Sequence, residues 1–223
     1  MKKLFLKDVL EKINGKTICG DADSEITDVS IDTRTLKKGD TYFALQGENV
    51  DGTIFCKDAI KKGAKICFLQ KNIFSDDELN QFGANATIVL VKNVEDALVE
   101  IAKIKRNLYD IPVVAITGSV GKTSTKDVIY SVMAKKFNVH KTQGNQNNRL
   151  GVPLTIMSLK DHDALVIELG MNHFGELSEL TNIVKPTMCV ITNIGSSHIG
   201  NLGSREGILK AKLEILQKLQ DQM

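Results

Sequence analysis

Residues 111–137 read IPVVAITGSVGKTSTKDVIYSVMAKKF, and the order of patterns in this stretch decides the fold. The run IPVVAITG is continuously apolar up to its turn, which reads as a buried strand. The turn is TGSVGKTST, residues 117–125, and an amphipathic segment with Val128, Ile129, Val132 and Met133 on one face follows it. A strand that ends in a glycine-rich turn and opens a helix aims free backbone N–H groups at one point. The helix dipole adds partial positive charge there. Gly118 and Gly121 let the backbone approach phosphate oxygens. Gly118, Ser119, Val120, Gly121, Lys122, Thr123 and Ser124 are therefore expected to hold the phosphates of ATP. Lys122 supplies a point charge for the β and γ phosphates, and the Thr123 hydroxyl is suited to ligate Mg²⁺. The spacing departs from the general GxxxxGK[ST] pattern, because Ile116 stands where the first glycine belongs.

Downstream, strand-like and helix-like segments alternate. An Asn-rich loop is followed by ALVIELG (164–170), GELSELTNIV (175–184), TMCVITNIG (187–195) and a helical pattern from about Ser204 to Leu219. This alternation predicts a parallel sheet with helices on both faces. Ligands bind such sheets at the carboxyl ends of strands. Glu168 ends the second strand and His198 follows the third, so both are candidate metal ligands. His140, His162 and His173 have no such placement and read as surface residues. Neither NKxD nor a DxxG after the second strand occurs, which favours ATP over GTP.

Upstream, residues 1–108 read as a small α+β domain. A short amphipathic helix (6–13) precedes strand-like ITDVSID and TYFALQG, with a helix at 56–62 and apolar strands KICFLQ and ATIVLVK after them. A helical pattern covers 94–109. The fold class is thus α/β, with a small α+β domain at 1–108 and a P-loop parallel-sheet domain of the ATPase type at 109–223. The boundary falls near Asp110-Ile111-Pro112.

Composition excludes several classes. The net charge is +2 and Trp is absent, so neither nucleic acid nor an anionic membrane is an expected partner. Cys19, Cys56, Cys67 and Cys189 form no CxxC pair, which argues against zinc. Cys67 and Cys189 lie in apolar runs, as buried reduced thiols do. No signal-peptide core and no stretch of ~20 apolar residues appears. These features predict a cytoplasmic protein without a membrane span.

The motifs TGSVGKTSTKD, GNQNNRLGVPLT (144–155), ELGM (168–171), TNIGSSHIGNLGS (192–204) and KAKLEI (210–215) resemble, in this order, the Mur ligases of peptidoglycan synthesis. DTR at 32–34, KKGDTYFALQGENVDGTIF at 37–55 and AIKKGAK at 59–65 resemble the UDP-binding domain of the same enzymes. Within the family the match is closest to the member that joins D-alanyl-D-alanine to UDP-MurNAc-tripeptide. The resemblance implies that ATP converts the terminal peptide carboxylate to an acyl phosphate, which the dipeptide amine then attacks. It implies catalytic roles for Lys122, Lys212 and His198, and two Mg²⁺ sites involving Thr123, Glu168, His198 and Lys212. Lys212 matches the lysine that becomes carbamylated; the residues alone make it a surface helix lysine. Lys210 points about 200° round the helix from it.

Asn145, Asn147 and Asn148 are suited to donate amide N–H bonds to the diphosphate or sugar of the substrate, with turn formation as the competing reading. Asp32, Thr33 and Arg34 are placed near the uridine diphosphate, onto which the Arg34 guanidinium can fork; a solvated turn is the alternative. Thr53 stands where the family commonly has His. The resembled enzymes have three domains, so a truncated chain lacking the C-terminal domain, able to bind but not to turn over alone, is expected. Two rival readings are a folylpolyglutamate-synthase-like ligase, disfavoured by the front domain, and a non-catalytic nucleotide-sugar-binding protein.

Overall fold

A computed structural model describes residues 2–48 and 50–220. The chain divides into two compact units, 1–104 and 105–223.

The first unit contains α1 (Lys7–Leu10), β1 (Lys16–Cys19), β2 (Val29–Ser30), β3 (Thr41–Phe43), a 3-10 turn (Gly52–Phe55) running into α2 (Cys56–Lys61), β4 (Ile66–Leu69), α3 (Asp76–Gly83), β5 (Thr87–Leu90) and most of α4 (Val94–Asn107). Its sheet has the order β1-β5-β4-β3-β2. Strands β2 to β5 are parallel, and only the edge strand β1 runs antiparallel. The parallel core arises because α2 and α3 return the chain to the same end of the sheet between strands. Ile66 to Leu69 is buried at every position, as a strand covered on both faces must be. Helix α3 lies outside the elements expected from sequence. A capping box between Ser75 and Glu78 starts it, although it buries no residue fully.

The second unit takes the end of α4 and then β6 (Val113–Thr117), α5 (Lys122–Met133), β7 (Val139–Lys141), α6 (Gly151–Met157), β8 (Ala164–Glu168), α7 (Glu176–Val184), β9 (Met188–Ile191), α8 (Ile199–Leu202), α9 (Arg205–Leu213), a 3-10 turn (Glu214–Leu216) and α10 (Gln217–Gln220). Its strands are all parallel, in the order β7-β8-β6-β9. The last turn of α4 belongs here because its side chains hold two helix ends. Lys105 Nζ donates to the Met157 carbonyl at the end of α6, and Arg106 donates to the carbonyls of Val184 and Lys185 at the end of α7. Cations at helix C-termini oppose the dipole and satisfy carbonyls left without an intrahelical partner.

Three expectations are corrected. The core-facing stripe of α5 runs through buried Lys126 and half-buried Ile129, Tyr130 and Met133, whereas Val128 and Val132 are 64% and 69% exposed. The sequence pattern places two valines on the core face; packing against β6, β7 and β8 selects the neighbouring stripe. The Asn-rich loop also carries β7 and α6, both too short for a periodic signal. His140 lies on β7 and is not a surface residue: its Nε2 is 3.1 Å from the Thr155 carbonyl and its ring lies 4.8 Å from that of His162. Burial lowers its pKa to about 4, with the nearby His162 adding to the effect. Cys67 is buried and Cys189 half-buried, and all four thiols are free. Among the described residues no helix is long and apolar enough to cross a membrane.

Candidate phosphate and metal site

Strand β6 lies between β8 and β9, so its carboxyl end opens where the chain has crossed from one side of the sheet to the other. That crevice is where an open parallel sheet binds ligands. The loop 118–121 leaves β6 and turns into α5 through Gly121, whose φ of 85° suits glycine. Gly118 has φ 150°, and a Cβ there would stand 1.9 Å from Thr192 Oγ1. The loop backbone therefore passes too close to the end of β9 for any side chain at 118.

Thr123 and Glu168 are brought together. The Thr123 hydroxyl donates to Glu168 Oε2 over 2.9 Å, and the Asn147 side-chain amide donates to Oε1 over 2.8 Å. Glu168 is 3% exposed. Its backbone N–H donates to Thr142 Oγ1 at the end of β7, which fixes the strand end. A carboxylate and a hydroxyl facing each other are hard oxygen donors of the kind Mg²⁺ selects, so these residues fit that ion. Among the described residues no three His, Cys, Asp or Glu side chains converge as a metal cluster. A fully side-chain-ligated site is thus not built here, in keeping with an ion that shares its shell with water and phosphate.

Lys122 Nζ folds back to donate to the Gly118 carbonyl at 2.8 Å. Lys212, on α9, is 2% exposed, while Lys210 is exposed. The residue-based reading of Lys212 as a surface lysine is corrected: α9 turns that one position inward. Burial lowers its pKa to about 8, with a smaller push from the Lys122 ammonium. His198 is exposed, at the start of α8, with a left-handed φ of 64° that non-glycine residues seldom adopt.

The asparagines divide by role. Asn147 orients Glu168, and its carbonyl accepts from Gly170 N–H. Asn148 Oδ1 accepts from the N–H groups of Leu150 and Gly151 at the start of α6, a helix-capping arrangement. Asn145 is exposed. Sequence reasoning missed Thr142, Thr192 and Asn193, which hold Glu168 and the loop in place. Their positions at strand ends, in KTQG and ITNIG, were the available signal.

In the first unit, Arg34 pairs with Asp32, with Nη2 to Oδ2 at 2.6 Å and Nε to Oδ1 at 3.0 Å. The Arg34 guanidinium holds the Asp32 carboxyl down at about 2. Lys62 Nζ donates to the Thr33 carbonyl at 2.7 Å. The DTR segment is a built turn that carries the exposed, ion-paired Arg34, with exposed Lys62 from the end of α2 bound to its backbone.

The Mur ligase middle domain matches residues 116–223, and the model described as Mur ligase family, catalytic domain matches 25–106. The UDP-N-acetylmuramoyl-tripeptide–D-alanyl-D-alanine ligase of Synechocystis is 40% identical over 195 residues, 87% of this chain and 42% of that protein. The ligase of the same name from Bacillus subtilis is 35% identical over 223 residues, 99% of this chain and 48% of its own length. A crystal structure of MurF from Acinetobacter baumannii superposes with a TM-score of 0.85 at 30% identity, covering 98% of this chain and 47% of that one. MurF ligase from Thermotoga maritima, solved in complex with ADP, gives 0.75 at 31% identity over 86% of this chain and 43% of its own. The chain spans about half the length of the curated relatives it matches. Both family models, one on each unit, name the same family, and this chain belongs to the Mur ligases.

Proposed function

We propose that this chain serves the cytoplasmic, ATP-dependent joining of D-alanyl-D-alanine to UDP-MurNAc-tripeptide in peptidoglycan synthesis. The observation that carries the reading is the Thr123–Glu168–Asn147 arrangement at the mouth of a phosphate loop. It is supported by a buried lysine of lowered pKa at the position the family carbamylates.

The reaction transfers the γ-phosphoryl group to the terminal carboxylate of the tripeptide, with ADP leaving. The dipeptide amine then attacks the acyl phosphate, an amide forms and phosphate departs. The chief obstacle is charge, since a carboxylate must approach a polyanion. Bound Mg²⁺ would screen that charge. Lys122 releases the Gly118 carbonyl and turns to the β and γ phosphates, and the first-turn N–H groups of α5 receive the same oxygens. Glu168 and Thr123 would hold the ion through oxygen, with Asn147 keeping Glu168 from rotating. Lys212 at a pKa near 8 keeps a fraction of neutral amine at neutral pH, which CO₂ can take up as a carbamate with release of one proton. The resulting anion and His198 would hold a second Mg²⁺, which would supply further screening of the phosphate charge. Asp32, Thr33, Arg34 and Asn145 are assigned to the UDP-linked substrate.

Isothermal titration with MgATP, UDP-MurNAc-tripeptide and UDP alone tests the reading, together with ADP release in the presence of MgATP, UDP-MurNAc-tripeptide and D-alanyl-D-alanine. Affinity for both nucleotides is expected. Failure to bind any UDP compound would remove the substrate assignment of the first unit, and failure to bind MgATP would remove that of the loop.

A further inference from the structure

The loop 118–120 is tied to the segment 192–197 by a set of hydrogen bonds that the proposed phosphate chemistry does not use. Asn193 is their centre. Its Oδ1 accepts from Ser119 N–H at 3.2 Å and from Val120 N–H at 3.1 Å, and its backbone carbonyl shares the Ser119 N–H at 3.2 Å. Thr192 Oγ1 donates to the Val120 carbonyl at 2.6 Å. In return, Ser119 Oγ accepts from Gly195 N–H at 3.0 Å, and the Ser119 carbonyl accepts from Ser197 Oγ at 3.3 Å. The missing side chain at Gly118 lets the two segments approach this closely.

Two consequences follow. First, the amides of Ser119 and Val120 are already satisfied by an internal acceptor, so they are not free for phosphate. The N–H groups left to an anion are those from Gly121 onward, where α5 begins. Within the stretch 118–120, expected from sequence to grip phosphate, the Ser119 and Val120 amides are engaged by this clamp. Second, the clamped segment runs directly into Ser197 and His198. The phosphate loop and the segment bearing His198 therefore form one hydrogen-bonded body.

We infer that Asn193 is a positioning residue, whose side-chain oxygen pre-shapes the phosphate loop and makes the His198 segment respond to whatever occupies it. The clamp itself is independent of the ligand; its response to ATP rests on the proposed function above.

The full 223-residue chain tests this with Asn193→Ala and Asn193→Asp. Asp keeps an acceptor oxygen, so it preserves the clamp if acceptance is what matters. Without nucleotide, hydrogen exchange at the Val120 amide is expected to quicken about tenfold or more in N193A and to stay near wild type in N193D, while the Ser119 amide keeps the backbone carbonyl of residue 193 as its acceptor. Should N193A fail to fold, the N193D comparison with wild type still decides, because loss of protection there overturns the clamp. With nucleotide, ATP added without magnesium is expected to shift the His198 ring resonances in the wild type and to leave them unmoved in N193A. ATP affinity is expected to fall about tenfold in N193A. Unchanged exchange in N193A overturns the positioning role, and a His198 ring that ignores bound ATP in the wild type overturns the coupling. If the wild type binds no ATP, the nucleotide reading fails while the exchange measurement still decides the clamp.

Discussion

The Thr123 hydroxyl and the Glu168 carboxylate meet at 2.9 Å, although 45 residues separate them. One lies in the first turn of α5 and the other at the end of β8, the strand beside β6. Asn147 holds the remaining carboxylate oxygen, so the acid presents a fixed orientation to the crevice.

Replacing that charge while keeping the shape isolates the metal contribution. Glu168→Gln is expected to weaken ATP binding by tenfold or more in the presence of Mg²⁺ and to change it less than threefold with the metal chelated. Titrations with and without EDTA measure both values. An equal loss under the two conditions would assign Glu168 to the fold alone.

Lys212 is expected to carry CO₂. In ¹³C-bicarbonate buffer near pH 8, the chain should show a carbamate carbonyl resonance that Lys212→Met lacks and Lys210→Met retains. The burial that lowers the Lys212 pKa also sets a stability slope. The unfolded chain binds the proton more tightly, so the penalty on the folded state is complete below pH 8 and fades toward pH 10.5. In CO₂-free buffer at pH 7, Lys212→Met should therefore raise stability, by at most about 3 kcal/mol. Urea titrations at pH 7 and 10 check the sign.

His140 predicts an acid sensitivity. Its folded pKa of about 4 lies below the ordinary 6.5, so the unfolded state takes up the proton first as pH falls. Stability is fully present above 6.5 and is lost progressively between 6.5 and 4, by up to about 3 kcal/mol. His140→Gln should flatten this slope in thermal melts between pH 4 and 7. A variant with the wild-type slope would place the sensitivity elsewhere.

Arg106 is a structural linchpin of the second unit. It donates to the carbonyls of Val184 at 2.7 Å, Tyr109 at 2.6 Å and Lys185 at 3.2 Å. Burial lowers its pKa, a cost that the three carbonyls offset. Arg106→Ala should destabilise the unit by about 3 kcal/mol or more, because it strands buried acceptors. Denaturation followed by near-ultraviolet circular dichroism measures it. A loss under 1 kcal/mol would mean that water replaces the guanidinium.

The sequence by itself determined what depends on neighbours along the chain. An apolar strand, a glycine turn and a helix in succession identify the phosphate loop, because the turn and the dipole are local physics. The βα alternation from 111 onward gave the parallel sheet for the same reason. Glu168 was legible as a strand-end residue; His198 was read as following a strand, and the structure sets it seven residues past β9, at the start of α8. The rest depended on tertiary structure. Burial of Lys212, exposure of Val128 and Val132, and the depressed pKa of His140 are set by which helix face meets the sheet, and a periodic pattern leaves that choice open within one residue. The two short elements β7 and α6 exist because the sheet pairs one and covers the other, not because of propensity. Asn193 makes the contrast plainest. In the chain it is a polar residue after a strand, 73 residues from Val120; only the adjacency of β6 and β9 turns its amide oxygen into the acceptor for the loop.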